Sequence, residues 1–434
     1  MEAVAAERGF APDLSELEVS RAGSMAAWLS ELRREAFARF EELGFPTAKD
    51  EGWRQTGIQP ITNTPWVLAK PVSRTVPLPA IDGARAVFIN GRFAKNLSRL
   101  PEGIRVESMR TALDAEPEAF RAHLARIAAF EQNAFTALNT AFFQDGAVVR
   151  IASGAVVPAP IALVFVSAPN GAPAVSHPRI LILAAERSQA SIVETYAGDS
   201  RYFTNAVTEI ALSDGAVLEH YKVQRESEAA SHVQTIAVRQ ARATQFTSHN
   251  IAFGAAIART DLHVTLDAEG AECTLNGLFV GDGTQRLDNH TVIDHAKPHC
   301  VSRELYKGIM DGASRGVFHG KIIVRPDAQK TDAMQTNKNL LLSRQALVNS
   351  TPALEIFADD VKCKHGSTTG QLDAAALFYL RSRGIGQADA RALLTYAFAA
   401  DVAGRIRIPS IRAAVEEELG LRLGGAAGSR EAVS

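Results

Sequence analysis

Between about residue 147 and residue 366 the sequence carries no helix signal, and short β-branched runs return at a near-constant interval. SQASIVETY places Ala190, DGAVLEHYKV places Ala216, ARATQFTSHN places Ala243 and EGAECTLNGLFV places Ala271 at one phase of a period of about 27 residues. A repeat of that size is one supersecondary unit. Alone it cannot bury its apolar face, so neighbours must stack. Each unit has room for two or three strands and none for a helix. A β-solenoid meets both conditions, because every strand pairs with the coil above and the coil below. A plain β-sandwich is the rival, and it gives no reason for a small residue at one fixed phase. DGASRGVFHGKIIV (311–324) reads as a later copy after an insertion.

Helical grammar flanks this region on both sides. In 1–146, Trp28, Leu29, Leu32, Ala36, Phe40 and Leu43 fall on one helical stripe, with Ser24 as cap and Gly44 and Pro46 as stops. ARAVFINGRF (84–93) reads as a hairpin about Asn90-Gly91. The segment 117–143 returns to helical character. KDEGWRQT (49–56) reads as a turn with an exposed Trp-Arg pair. In 367–434, Asp373 and Gly384 bound one helix, a second runs over 387–409, and Ser410 and Gly420 bound a third. An end strand needs cover, so these helices are expected to cap the last coil. The tail GGAAGSREAVS reads as disordered.

Charge and cysteine content exclude several classes. The net charge of −2 gives no global pull toward nucleic acid or an anionic membrane. The most apolar stretch, 156–169, is short and holds Pro158, Pro160 and Pro169, so it cannot span a bilayer. The N-terminus lacks the basic start and apolar core of a signal peptide, which points to a cytoplasmic address. Cys273, Cys300 and Cys363 are few and widely spaced, as expected of reduced thiols.

The chain shows no catalytic motif of its own. GVFHGKII (316–323) lacks the Ser or Thr that a phosphate loop needs after its lysine, and GDGTQR (281–286) has no helix to follow it. Ten of the eleven histidines lie between 177 and 365. His220, His249 and His319 fit a satisfied polar ladder inside a solenoid. NHTVIDHAKPHC (289–300) groups His290, His295, His299 and Cys300, which are ligand types for a borderline metal, though at no known zinc spacing. In ADDVKCKHGSTTGQLD (358–373), an unbulged strand puts Glu355, Asp359, Val361, Cys363 and His365 on one face. A thiol and an imidazole suit iron, zinc or sulfur handling, but two ligands are too few for a closed site. The remaining ligands would come from water or from another chain.

KGIMDGASRGVFHGKIIVRPDAQKTDAMQTNKNLLLS (307–343) and PALEIFADDVKCKHGSTTGQLDAAALFYLRSRGI (352–385) resemble the SufB/SufD family of iron–sulfur cluster assembly proteins. DNHTVIDHAKPHC looks like the same family. KDEGWRQT resembles the N-terminal Trp-Arg element of its SufD branch, with Gln55 where an aromatic is often found. The resemblance implies a right-handed parallel β-helix core (147–366) between an N-terminal helical domain (1–146) and a C-terminal one (367–434). It implies a non-catalytic scaffold that pairs with SufB through the β-helices and binds the ATPase SufC. His365 and Cys363 match the family's interface histidine and its neighbouring cysteine, where iron or a nascent cluster is shared with SufB. A reduced flavin is associated with the family's complex, and this sequence holds no flavin motif. Phe378, Tyr379 and Tyr396 are surplus to one buried stripe, which makes the C-terminal helices the expected ATPase dock. Homodimerisation without SufB is left open. Two rival readings are a self-contained metal-binding β-helix using the 290–300 cluster, and a β-helix polysaccharide enzyme, which lacks the export signal and acidic groove expected of it.

Overall fold

The computed structural model describes residues 25–72, 76–79, 83–100 and 105–423. The chain is mainly β, a solenoid of about eight turns flanked by helices. Each full coil contributes one strand to each of two sheets, here the front sheet, ending at Leu347–Ile356, and the back sheet, ending at Lys362–Gly370. Along the back sheet Val217 pairs in parallel with Gln245, Gln245 with Glu272, Glu272 with Val301, Val301 with Asp332 and Asp332 with Lys362. The strands of an inner coil therefore find backbone partners in the coil on either side.

The small-residue phase has a cause that the register refines. The position just before six successive back strands is a tight corner, filled by Ser188, Ala216, Thr244, Ala271, Cys300 and Thr331, all buried; before the last strand it is the half-buried Val361. Ala216 and Ala271 belong to that column. Ala243 lies one residue earlier, in the left-handed region at φ 52°, and Ala190 lies inside its strand. The segment 311–324 is likewise no copy of the DGAVLEHYKV unit: its strand, Arg315–Val324, belongs to the front sheet.

Alternation sends Leu218, Phe246, Leu275 and Phe279 inward with Ile210, Ile236, Leu262 and Ile293 from the facing sheet, forming the axial core. The two outer faces are clad by the flanking regions. On the front sheet, helices α1 (Ala27–Leu43) and α2 (Ala134–Phe142) bury Leu29, Leu32, Phe40, Phe135 and Phe142 against Leu181, Phe203 and Val233. Arg33 donates to the Ala141 and Phe143 carbonyls at 2.7 and 2.6 Å, satisfying the end of α2. Between 117 and 133 only Pro117–Phe120 forms a short 3-10 turn, so the helical reading of 117–143 holds only for its last third. The cap expected at Ser24 and the tail from 424 lie outside the described residues; Ala26 precedes α1.

The C-terminal helices do not cap the last coil. Helix α3 (Ala374–Ser382) buries none of its residues, whereas α4 (Gln387–Ala403) and α5 (Pro409–Arg422) turn back along the outer face of the back sheet. Ala399, Val402, Ile411, Val415 and Leu419 pack there on Val223, Ile251, Leu278 and Ile309. This surface is apolar over several successive coils and so outcompetes one small end face. Asp373 caps α3 through Ala375 N at 2.8 Å. Helix α5, however, starts from Ile408 with Pro409 at its first position and runs through Gly420, so neither Ser410 nor Gly420 bounds it.

The two ends of the solenoid differ. At the N-terminal end the hairpin Ala84–Ile89/Arg92–Phe93, turned by Asn90 at φ 51° and Gly91 at φ 75°, closes the back sheet. Arg105–Ser108 closes the front sheet antiparallel to Gly146–Ile151. At the C-terminal end no further strand follows among the described residues. No described helix is long and apolar enough to cross a membrane.

Candidate functional site

The open end is built by Leu347–Ile356 and Lys362–Gly370, each the edge of its sheet. Cys363, His365 and Ser367 share the inward face of the last strand. Cys363 is half-buried against the axial core, and burial raises its thiol, keeping it protonated in the isolated chain. His365 is exposed. Ser367 Oγ lies 2.7 Å from Ser350 Oγ, which donates to Asn337 Oδ1 at 2.7 Å. Polar side chains thus line the mouth, while its rim carries Leu347, Ile356 and Phe357, the last 63% exposed. One expectation fails here: the chain turns between Ile356 and Lys362, so Glu355 is on the front sheet, paired with Lys321 at 2.6 Å, and shares no face with Cys363.

The 290–300 residues are dispersed. His290 is on the outer face of the front sheet, 3.0 Å from Asp288 and stacked on His319 with ring centres 5.0 Å apart. His295 points inward, its Nε2 2.9 Å from Ser302 Oγ, and burial lowers it to about 4. His299 stands in an exposed turn at φ 58°, and Cys300 fills a corner with Sγ 3.3 Å from the Ala268 carbonyl. Among the described residues no group of three or more His, Cys, Asp or Glu side chains is placed to hold a metal. Of the ladder histidines, only His220 lies inside, between Glu194 at 3.1 Å and Ser248 at 3.3 Å. His249 stacks on Tyr221 on the outer face, below the C-terminal helices.

The Trp-Arg element is a clamp rather than an exposed pair. Trp53 covers the Arg259 guanidinium at 3.7 Å and leans on Phe135. Arg259 donates to the Gly52 carbonyl at 2.5 Å, to Asp261 and to Asp288, and Thr56 Oγ1 also bonds Asp288. Burial alone would raise the Asp288 carboxyl, yet Arg259 and His290 hold it at about 2. Only Arg54 of the pair is exposed.

On the C-terminal helices, Phe378 and Tyr379 of α3 are 73% and 57% exposed, whereas Tyr396 of α4 is half-buried against the back sheet. Sequence reasoning missed the buried polar residues behind the mouth, among them Glu304, Gln335, Asn337 and Asn339. Their signal was available: polar residues recur at every second position of those strands, where apolar ones would fill a dry core.

The comparisons agree with this architecture along its length. Residues 18–163 match the SufBD protein N-terminal region, and residues 165–398 match the SufBD core domain of the SUF system for FeS cluster assembly. An iron–sulfur cluster assembly SufBD family protein of Synechocystis is 34% identical, over 85% of this chain and 86% of that protein. The iron–sulfur cluster assembly protein SufD of Escherichia coli is 32% identical, over 88% of this chain and 90% of its own. A helix-flanked solenoid matched over both of its regions and over most of its length fixes the kinship: the chain belongs to the SufBD family of iron–sulfur cluster assembly proteins.

Proposed function

We propose that the chain is a non-catalytic scaffold subunit of a cytoplasmic SUF assembly complex. Its open end pairs with a SufB-type subunit, and the joint site receives iron or a nascent cluster. The observation that carries this reading is the asymmetry of the solenoid. One end is closed by antiparallel strands, and the other presents two unpaired edges, an apolar rim and the Cys363–His365 pair. Unpaired edges of this length are ordinarily covered. His365 and Cys363 are two ligands of an incomplete set, and a partner's strand at the same edge would bring others within reach. Iron and sulfide are cargo here, held transiently. Exposed Phe378 and Tyr379, which follow the end of the last strand by eight and nine residues, support docking of the SufC-type ATPase on α3. The test is co-expression with SufB-type and SufC-type subunits. Replacing Ile356 and Phe357 by serine should release the SufB-type subunit from a purified complex. Undiminished co-purification would move the pairing surface off the open end.

A further inference from the structure

One column of the back sheet runs inward-facing through Leu275, Glu304, Gln335 and His365. Glu304 and Gln335 are 4% and 1% exposed. Gln335 Nε2 donates to Glu304 Oε2 at 2.7 Å. That bond orients the amide: its nitrogen faces the coil beneath, and its oxygen is turned away. Gln335 Oε1 is buried and finds no donor among the described residues. A buried acceptor left so costs about 1–3 kcal/mol. Room for the amide is built in, because a Cβ at Gly320 of the facing sheet would collide with it. The next side chain of the column, one strand spacing on (about 4.8 Å), is His365.

We propose that Gln335, held by Glu304, is a positioning residue for His365: its unpaired amide oxygen accepts one imidazole N–H when the exposed ring turns inward to it, and leaves the other ring nitrogen free toward the mouth. A histidine whose second nitrogen is fixed this way has a defined tautomer and a stronger donor lone pair. The inference rests on His365 acting at the open end, and it supplies what an exposed imidazole lacks there, a fixed orientation. Burial raises the Glu304 carboxyl to about 7, with the Cys273 thiol and Tyr306 phenol as its titratable neighbours inside the core. At a pH of about 8 the carboxylate is the acceptor and the amide is oriented as described.

The experiment is ring-nitrogen NMR of the full chain, labelled with ¹⁵N-histidine, at that pH. The His365 signals are those lost in His365→Asn. One tautomer should dominate in the parent chain, and Gln335→Met should shift the tautomer ratio about fivefold, the worth of about one hydrogen bond. An unchanged ratio in folded Gln335→Met overturns the proposal. Should that variant not fold, Glu304→Gln serves instead: it frees the amide to turn over, so the ratio must move, and a fixed ratio again overturns it. The reading is independent of cluster assembly, so its failure leaves the scaffold function standing, and a functionally silent His365 leaves the tautomer result standing.

Discussion

Glu209→Ala should detach the N-terminal region from the solenoid before the solenoid itself melts. Glu209 and Arg179 are fully buried on the outer face of the front sheet, with Arg179 Nη2 2.6 Å and Nε 3.0 Å from Glu209 Oε2. Arg179 also donates to Asn139 and Thr140 of α2, at 3.1 and 3.0 Å. The Glu209 carboxylate accepts from the backbone N–H groups of Ala125, Ile127 and Ala128, at 3.0, 3.2 and 3.0 Å. Removing it strands a buried guanidinium, which costs about 3–5 kcal/mol, and leaves three N–H groups without an acceptor, at about 1–3 kcal/mol each before relaxation. These terms overlap, so the expected loss is at least about 4 kcal/mol. The assay is built into the sequence. All three tryptophans, Trp28, Trp53 and Trp66, lie in the N-terminal region, and Trp66 packs on Phe203 of the front sheet. Fluorescence in a denaturant titration therefore follows the seam, while far-ultraviolet circular dichroism follows the strands. In Glu209→Ala the fluorescence midpoint should fall well below that of dichroism, with Glu209→Gln intermediate because it keeps an acceptor. Coincident transitions, or a loss below about 1 kcal/mol, would refute the view that this pair locks the two parts together.

His365→Ala should leave the melting curve unchanged and impair iron–sulfur enzyme maturation in cells; normal maturation would remove His365 from the site, and Cys363→Ser tests the thiol in the same assay. Phe378→Ser with Tyr379→Ser should abolish binding of the SufC-type ATPase without loss of stability, and retained stoichiometric binding would place that dock elsewhere. Acid stability should fall between pH 6.5 and 4. Burial lowers His295 and His249 to about 4 and His177 to about 3, so the unfolded chain takes up protons across that window while the folded chain does not. Each contributes up to about 3 kcal/mol above the window that is lost as pH falls through it, and His295→Gln should flatten the curve; an unmoved acid midpoint counts against this. Trp53→Ala should cost about 1–2 kcal/mol through the desolvated Arg259 contact, read from the same fluorescence-free dichroism melt.

The solenoid was legible because its constraint is periodic: a corner that admits only a small side chain recurs in successive coils and survives an error of one or two residues in phase, as at Ala243 and Ala190. The path of the C-terminal helices was not legible. Helix spacing reveals an apolar stripe but not which of two apolar surfaces it meets, and the broad face of Val223, Ile251 and Leu278 lay hidden among strands. That Cys363 and His365 share one face was legible because residues two apart lie on one face in any unbulged strand. The dispersal of His290, His295, His299 and Cys300 was missed because it depends on where a strand ends and a corner begins: one residue of offset decides whether a side chain points in or out. Gln335 and Glu304 went unnoticed because their partnership crosses 31 residues of sequence and exists only through the coil register.

A chain with one blunt end and one adhesive end has a valence of one. Edge-to-edge association of such units consumes the adhesive end of each participant and leaves only blunt ends showing. Growth therefore terminates at two chains, whether the second is a copy or a relative, where a solenoid open at both ends could add units without limit into a fibre. On the pairing proposed above, the antiparallel strands Arg92–Phe93 and Arg105–Ser108 would act as a stoichiometric device: six residues that limit the count of the assembly from the far end of the molecule.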